Sequence, residues 1–131
     1  MAHLPDEVRH ALEGKNFWSL ATLNPDGSPQ NTIVWVDTRD DKIVINSIIG
    51  RKKPRNLERN PEVSLAWYDP ASPYSNISIQ GRVVDTYTGE RADVDIDALA
   101  KKYLDQDVYE GQEGERRVTY VIEPTHVWTR F

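Results

Sequence analysis

The chain has 131 residues, with 16 Lys and Arg against 21 Asp and Glu, three His and no Cys. This length suits one domain with a hydrophobic core, over residues 1–131, and a net charge of −5 argues against a broad basic surface for nucleic acid. The absence of cysteine excludes disulfides and thiol chemistry, and no stretch is typical of a signal peptide or membrane span, so we expect a cytoplasmic protein without nucleic-acid or membrane partners.

The start of the chain predicts a short helix and then a β-hairpin. Leu4–Glu13 places Pro and acids in its first turn and apolar residues on one face, a pattern typical of a helix. Phe17–Leu23 and Gln30–Val36 flank the sequence Asn24-Pro25-Asp26-Gly27. Pro presets the second position of a turn and Gly accepts a left-handed conformation, so the two segments are predicted to pair as antiparallel strands.

Asp37–Asp41 is predicted to be a turn that leads into a third strand, Lys42–Ser47, and a basic stretch follows that strand after Gly50. Five of the nine residues from 51 to 59 are Arg or Lys, and Asn60-Pro61 ends the short helix that they predict. A helix N-terminus already carries partial positive charge and unpaired N–H groups, so cations are unfavourable there unless an anion binds. Phosphate is the usual anion at such a site. The alternative is a solvated basic face, and the pattern alone does not separate the two.

The second half predicts four more strands and one helix. In chain order these are the strand Val63–Tyr68, a loop at 69–73, the strand Asn76–Tyr87, the helix Asp93–Leu104, a loop at 109–115, and the strands Arg117–Glu123 and His126–Phe131. Gly81 predicts a bulge or a bend, and Pro124 separates the last two strands. Consecutive hairpins without a βαβ rhythm favour a mainly β protein with short helices, a small closed or split antiparallel barrel of six or seven strands.

Residues typical of catalysis are sparse. The three histidines are far apart and none has a metal-ligand spacing; His126, near a strand start, is better explained as structural. Asp93, Asp95 and Asp97 alternate as in a metal loop but lack the glycine and distal glutamate of a calcium site, and the helix dipole explains acids at a helix start. We expect no metal and identify no catalytic residue. An anion site together with four Trp, six Tyr and two Phe favours a bound cofactor that supplies the chemistry.

Three segments carry a family resemblance. They are FWSLATLNPDGSPQNTIVWV at 17–36, GRKKPRNLERNPEVSL at 50–65 and SIQGRVV at 78–84. In this order they resemble the pyridoxamine 5'-phosphate oxidase-like flavin and deazaflavin proteins, and most of all the actinobacterial reductases that use coenzyme F-420. The resemblance implies a six- or seven-stranded antiparallel split β-barrel, and a homodimer with cofactor sites at its interface.

The same resemblance assigns residues to the cofactor. Its phosphate would be held by Arg51, Lys52 and Lys53, with help from Asn56. Its ring and ribityl chain would contact Gln30, Thr32, Val34, Asn46 and Ser47. The partner protomer would supply Tyr74 and Trp128.

The implied activity is that of an F-420-dependent reductase. It would deliver a hydride to the activated double bond of a small organic substrate, such as an enone or unsaturated lactone. Gln30, backbone N–H groups or solvent would help to position the substrate or to protonate the product. An FMN-binding oxidoreductase of the same fold is the alternative. A third possibility is a non-catalytic protein that holds a flavin, F-420 or haem, for which His126 is the candidate axial ligand, since fold does not settle function.

Overall fold

The structure, a computed structural model, describes residues 2–131. Three helices and seven strands make up this part of the chain. In chain order they are α1 (Asp6–Glu13), β1 (Trp18–Leu23), β2 (Pro29–Val34), β3 (Asp37–Arg39), β4 (Lys42–Ile48), α2 (Lys52–Arg59), β5 (Glu62–Asp69), β6 (Ser72–Thr88), α3 (Glu90–Leu104) and β7 (Arg117–Arg130). The predicted mainly β architecture with short helices is confirmed.

All seven strands form one antiparallel sheet, in the order β2-β1-β5-β6-β7-β4-β3. Its two edges, β2 and β3, are joined in sequence by only Trp35 and Val36. Three Cα steps span at most about 11 Å, whereas the outer strands of a flat seven-stranded sheet lie about 29 Å apart. The sheet must therefore curl until its edges meet, and because β2 and β3 do not pair, the result is a split barrel.

Apolar side chains from alternate strand positions fill the barrel. Leu20, Ile45 and Leu65 are fully or almost fully buried in this core. Helix α1 closes one end, since Val8 and Leu12 are fully buried in the same cluster. The apolar face predicted for this helix is thus confirmed, and alternation of buried and partly exposed residues along β1 is the pattern of a strand with one face inward.

Two segments predicted as turns or loops are instead parts of strands. Residues 37–39 form β3, and the turn is confined to Asp40 and Asp41, where Asp40 adopts a positive φ of 57°. Residues 69–73 form a tight hairpin in which Asp69 pairs with Ser72. Both turns are therefore shorter than predicted, with two residues each at 40–41 and 70–71, because short polar segments form strands when a neighbouring strand supplies their backbone partners, which local composition does not reveal.

The prediction that Pro124 separates two strands was also wrong, because β7 is continuous through it. The ladder between β6 and β7 shifts register after Gln80, so Gly81 lies opposite Pro124 and Thr125 is the extra residue of a bulge. A proline lacks the N–H that a ladder needs and is tolerated at a bulge. The bulge predicted at Gly81 is confirmed: a Cβ there would lie 2.7 Å from Ile122 Cγ2 and 2.8 Å from the Glu123 carbonyl oxygen.

Helix α3 lies against the outside of the barrel and begins three residues before the predicted start. Ile96, Leu99 and Tyr103 form a second small cluster with Trp35 and Tyr109. Val94 and Leu104, two further apolar residues of this helix, are exposed, since its buried face is narrower than its apolar composition suggests. Within residues 2–131, no helix is long and apolar enough to cross a membrane.

Candidate functional site

The basic stretch forms the junction between β4 and α2. Gly50 turns the chain with a φ of 96°, a conformation that glycine adopts without strain. Arg51 then occupies the N-cap position of α2, which has no side-chain cap and no acid in its first turn. The predicted helix with a basic start is confirmed, as is its end at Asn60, and Leu57 is buried on its inner face. Its first N–H groups therefore lack a side-chain acceptor, as an anion site requires.

A cavity of about 250 Å³ opens beside this helix start, and we call it the basic pocket. Its polar lining residues are Asn46, Ser47, Arg51, Lys53, Tyr109 and Arg117. Its apolar lining residues are Ile33, Val34, Trp35, Ile48, Ile96 and Leu99. The combination of cations with aromatic and aliphatic side chains suits a ligand that is both anionic and flat.

Two cations of the pocket are close enough to disturb each other. Burial lowers the pKa of the Lys53 ammonium, and the positive charge of Arg51 lowers it further. Both causes disfavour the protonated amine. An anion bound between the two residues would remove the repulsion and favour protonation, so the electrostatics of the pocket are those of a site suited to an anion.

Arg117 enters the same pocket from the first residue of β7, which pairs with Ile48 at the end of β4. Its side chain is only 10% exposed. The guanidinium lies over the Tyr109 ring, 4.5 Å from the centroid, and pairs with the Glu115 carboxylate at 3.0 Å. A third cation thus faces the pocket, from an element far from the basic stretch in sequence.

Asn46 is held in one orientation by its neighbours. Its Nδ2 donates to the Ala92 carbonyl at 3.0 Å and lies 3.1 Å from Thr119 Oγ1, while its Oδ1 accepts from Arg117 Nη1 at 3.4 Å. Thr119 in turn donates to Asp95 at 2.8 Å. Asn46 is therefore a fixed polar group at the floor of the pocket, and the neighbouring Ser47 is buried and also lines it.

Asn56 contacts the β1–β2 hairpin rather than the pocket. This residue is buried, and its Nδ2 lies 3.1 Å from Thr22 Oγ1, 3.2 Å from Asn24 Oδ1 and 3.5 Å from Gln30 Oε1. These bonds fasten α2 to the hairpin. They engage Asn56 and Gln30 with one another, and neither residue lines the basic pocket.

Thr32 and Val34 lie on the same face of β2 as Gln30. Val34 is buried and lines the basic pocket. The Thr32 hydroxyl is buried without a hydrogen-bond partner anywhere in residues 2–131. A buried hydroxyl of this kind requires explanation, and a ligand or water could satisfy it.

Three other residues assigned to the cofactor lie away from the basic pocket. Lys52 is exposed on α2, Tyr74 is 81% exposed near the start of β6, and Trp128 is half exposed on β7, where it stacks on His126 with ring centroids 5.6 Å apart. In a single chain, therefore, the pocket gathers Val34, Asn46, Ser47, Arg51 and Lys53 from the predicted set.

A larger apolar groove adjoins the basic pocket. Its volume is about 950 Å³, and its lining comprises Lys15, Asn16, Phe17, Ser19, Ile33, Ala66, Trp67, Tyr68, Pro70, Pro73, Asn76, Ile77 and Ser78. Ile33 lines both cavities and is 67% exposed. Exposed Phe17 and Tyr68 extend the apolar surface, which is larger than a scattered set of surface hydrophobes.

Arg117, Trp35 and Tyr109 line the pocket but are not among the residues that the sequence predicts for the cofactor. The Trp35 ring meets the Tyr109 ring edge-on at 6.2 Å and is supported from behind the pocket lining by Tyr103, on which it stacks at 5.2 Å. The available signal was Arg117 itself, a cation directly before the buried run Val118–Ile122.

The three aspartates of α3 have separate structural partners. Asp93 lies exposed in the first turn of the helix, Asp95 is buried, and Asp97 accepts a hydrogen bond from the Tyr109 backbone N–H at 2.8 Å. In residues 2–131, no group of three or more His, Asp or Glu is placed to hold a metal.

A family model for pyridoxamine 5'-phosphate oxidase matches residues 4–131, nearly the whole chain. The chain belongs to the pyridoxamine 5'-phosphate oxidase family. The resemblance carried by the three sequence segments is thereby confirmed, and so is the split-barrel fold that this family implies. None of the curated proteins matches this family member.

Several solved structures resemble this pyridoxamine 5'-phosphate oxidase family member. An F-420 reductase superposes with a TM-score of 0.83 and 28% identity, covering 95% of this chain and 98% of the other. A conserved hypothetical protein from Mycobacterium tuberculosis reaches 0.75 with 21% identity over 98% and 84%. An FMN-binding protein from Nostoc punctiforme reaches 0.70 with 14% identity over 97% and 83%. At these lower identities the last two show the fold.

Proposed function

We propose that the protein is an F-420-dependent reductase that binds the phosphate of its cofactor in the basic pocket. The observation that carries the proposal is the convergence of Arg51, Lys53 and Arg117 on one cavity that is otherwise walled by apolar and aromatic side chains. The similarity to an F-420 reductase over almost the whole of both chains supports the choice of cofactor.

The residues of the pocket divide into binding and positioning roles. Arg51 and Lys53 would hold the phosphate, helped by the open N–H groups of α2. Asn46 and Ser47 would place the chain that leads to the ring, since their positions are fixed by β4 and its neighbours. When bound, the reduced cofactor would supply a hydride for an activated carbon–carbon double bond. The pocket residues would keep water away and hold the cofactor for this transfer.

A second candidate is an FMN-dependent oxidoreductase. FMN also presents a phosphate and a flat ring, and an FMN-binding protein shares the fold. The basic pocket recognises the part that the two cofactors share, so the choice between them depends on surfaces beyond it. A non-catalytic carrier of either cofactor, or of haem on His126, uses the same fold without turnover.

Parallel titrations of the purified protein with F-420, FMN and haem test this proposal. We expect F-420 to bind most tightly, and reduced F-420 to be oxidised when an enone or unsaturated lactone is added, as followed by absorbance. If FMN bound most tightly, FMN would replace F-420 as the proposed cofactor. Binding of F-420 without turnover of any activated alkene would favour the carrier.

We also propose that the protein is a homodimer whose interface covers the apolar groove. The basic pocket, about 250 Å³, is smaller than the roughly 300–1,000 Å³ of typical ligand sites, so it needs further walls to enclose a whole cofactor. The adjoining groove and the exposed Tyr74 and Trp128 offer apolar surface for a second copy. That copy could add its aromatic side chains to the site.

Ala66→Arg is expected to convert such a dimer into a monomer. Ala66 lines the groove and is exposed in a single chain, so an arginine there would place an unpaired charge in an interface that should bury more than about 1,000 Å². Ala98→Arg is the control, because Ala98 is exposed on α3 and does not line the groove. Sedimentation velocity at micromolar protein concentration measures the oligomeric state of the wild type and of both variants. A monomeric wild type, or dimers in both variants, would contradict the proposed interface.

A further inference from the structure

The hydrogen bonds of Arg117 are incomplete although its side chain is nine-tenths buried. Nη2 pairs with Glu115 Oε2 at 3.0 Å and Nη1 makes only a long contact of 3.4 Å with Asn46. Nε is buried and has no hydrogen-bond partner in the part of the chain that the structure describes. Buried donors are normally paired, so Arg117 has capacity for another acceptor.

The unpaired atom lies on the edge of the guanidinium that recognises oxyanions. Nε and Nη2 form the side edge of an arginine, and a carboxylate or phosphate that binds there accepts from both donors at once. Glu115 uses only Nη2. Arg117 and Glu115 are therefore joined by one hydrogen bond, although the edge offers two donors, and an oxyanion that replaced Glu115 on this edge could accept from both.

The surrounding loop packs closely against the Glu115 carboxylate. A Cβ at Gly111 would collide with the Glu115 carboxylate. A backbone hydrogen bond from Gln112 and the charge of Arg117 lower the pKa of Glu115, and the charge of Arg51 contributes as well. The carboxylate thus lies where two cations of the basic pocket act on it. In this position it neutralises part of the field that an anionic ligand would use.

We propose that Arg117 is an oxyanion-binding residue of the basic pocket and that Glu115 occupies its side edge until a ligand phosphate or carboxylate displaces it. This inference concerns the same site as the proposed function and adds to it a residue for recognition and an internal competitor. It requires an anion but not F-420, so the two proposals can fail separately.

Titration calorimetry with inorganic phosphate tests the inference in four proteins: wild type, Glu115→Gln, Arg117→Gln and the double variant. Removing the competing carboxylate should tighten phosphate binding about tenfold when Arg117 is present. With Arg117 replaced, the same change at 115 should alter affinity by about twofold at most, because the edge for which Glu115 competes is gone. If a single variant fails to fold, the double variant still allows a measurement, because it removes both members of the ion pair and leaves no buried charge without its partner.

Matched controls separate this mechanism from a general change of charge. Glu113→Gln removes one negative charge from the same loop and is the control for Glu115→Gln. Arg116→Gln removes one positive charge beside Arg117 and is the control for Arg117→Gln. Both residues are exposed, and both control variants should bind phosphate as the wild type does. Equal tightening by Glu115→Gln with and without Arg117, or no phosphate binding by Glu115→Gln at millimolar concentration, would overturn the inference.

Riboflavin and FMN distinguish the source of the anion. Glu115→Gln should strengthen FMN binding and leave riboflavin binding unchanged if the phosphate on the flavin reaches Arg117. If Glu115→Gln strengthens the binding of inorganic phosphate but not of FMN, Arg117 binds an oxyanion other than the cofactor phosphate, and the inference still holds. That result would count against the proposed position of the cofactor phosphate instead.

Discussion

Replacing Lys53 by alanine is expected to weaken the binding of F-420 and of FMN about tenfold to hundredfold. A charge-assisted hydrogen bond to phosphate contributes roughly 1.5–3 kcal/mol, which corresponds to that range of affinity. Lys53 lines the basic pocket beside Arg51, and the pKa of its amine is lowered in the absence of an anion. The protein therefore holds a desolvated cation whose unfavourable environment is relieved only on binding.

The unliganded protein, in contrast, should not lose stability when the charge of Lys53 is removed. Lys53→Met keeps the apolar part of the side chain and removes the charge, so the repulsion from Arg51 and from the helix dipole disappears. We expect the melting temperature of the unliganded protein to remain constant or to rise. A solvated basic face predicts no change in affinity for either variant.

Lys52→Ala is the matched control for this experiment. It removes the same charge from the neighbouring residue of α2, but Lys52 is exposed and does not line the pocket. We expect a loss of affinity of about threefold at most, the scale of an exposed charge interaction. Calorimetric titrations with FMN and riboflavin complete the test, because riboflavin lacks the phosphate. Similar losses for Lys52→Ala and Lys53→Ala, or equal effects on both ligands, would contradict the assignment of Lys53.

Asp95→Ala is expected to lower the free energy of unfolding by about 2–4 kcal/mol. The buried Asp95 carboxylate accepts from Arg39 Nη2 at 2.8 Å, from Thr119 Oγ1 at 2.8 Å and from the Tyr87 hydroxyl. It therefore fastens α3 to β3, β6 and β7 at once. Alanine would leave the buried Thr119 hydroxyl without this acceptor, whereas Arg39, whose side chain is 43% exposed, could turn to solvent.

Asp93→Ala provides the comparison, since Asp93 lies exposed two residues earlier in the same helix. Losing a carboxylate from the first turn should cost about 0.3–1 kcal/mol through the helix dipole. Urea denaturation at one protein concentration measures both, because dimerisation would otherwise shift the apparent values. Equal losses in the two variants would mean that the network around Asp95 does not stabilise the fold.

The Asp95 network also reaches the basic pocket. Thr119 lies between Asp95 and Asn46, so the side chain at the floor of the pocket depends on a carboxylate on α3. In the sequence, Asp95 is one of three alternating aspartates, and nothing in that pattern shows that it is the buried one. The hydrogen bonds arise from strand pairing between β4 and β7, which only the folded sheet provides.

Elements with strong local signals were predicted well from the sequence. The apolar face of α1, the hairpin after Asn24, the bulge at Gly81 and the basic start of α2 all follow from residue types within a few positions of one another. Such signals act through backbone preference and amphipathic spacing, which do not depend on distant parts of the chain.

The remainder of the site depends on contacts between distant segments. Arg117 reaches the pocket because β7 pairs with β4, and Asn56 turns away from it because the β1–β2 hairpin offers three acceptors. Strand β3 exists only because β4 lies beside it. Pairing over such separations leaves no mark in local composition.

The position of β7 in the sheet has a consequence for synthesis on the ribosome. It is the last strand along the chain, yet it lies between β6 and β4. Until it emerges, β2-β1-β5-β6 and β3-β4 are two fragments with unpaired edges, and a nascent chain cannot complete the barrel. Exposed strand edges of this kind favour mispairing between chains. A ribosome that stalls after α3 would therefore leave both fragments open to aggregation.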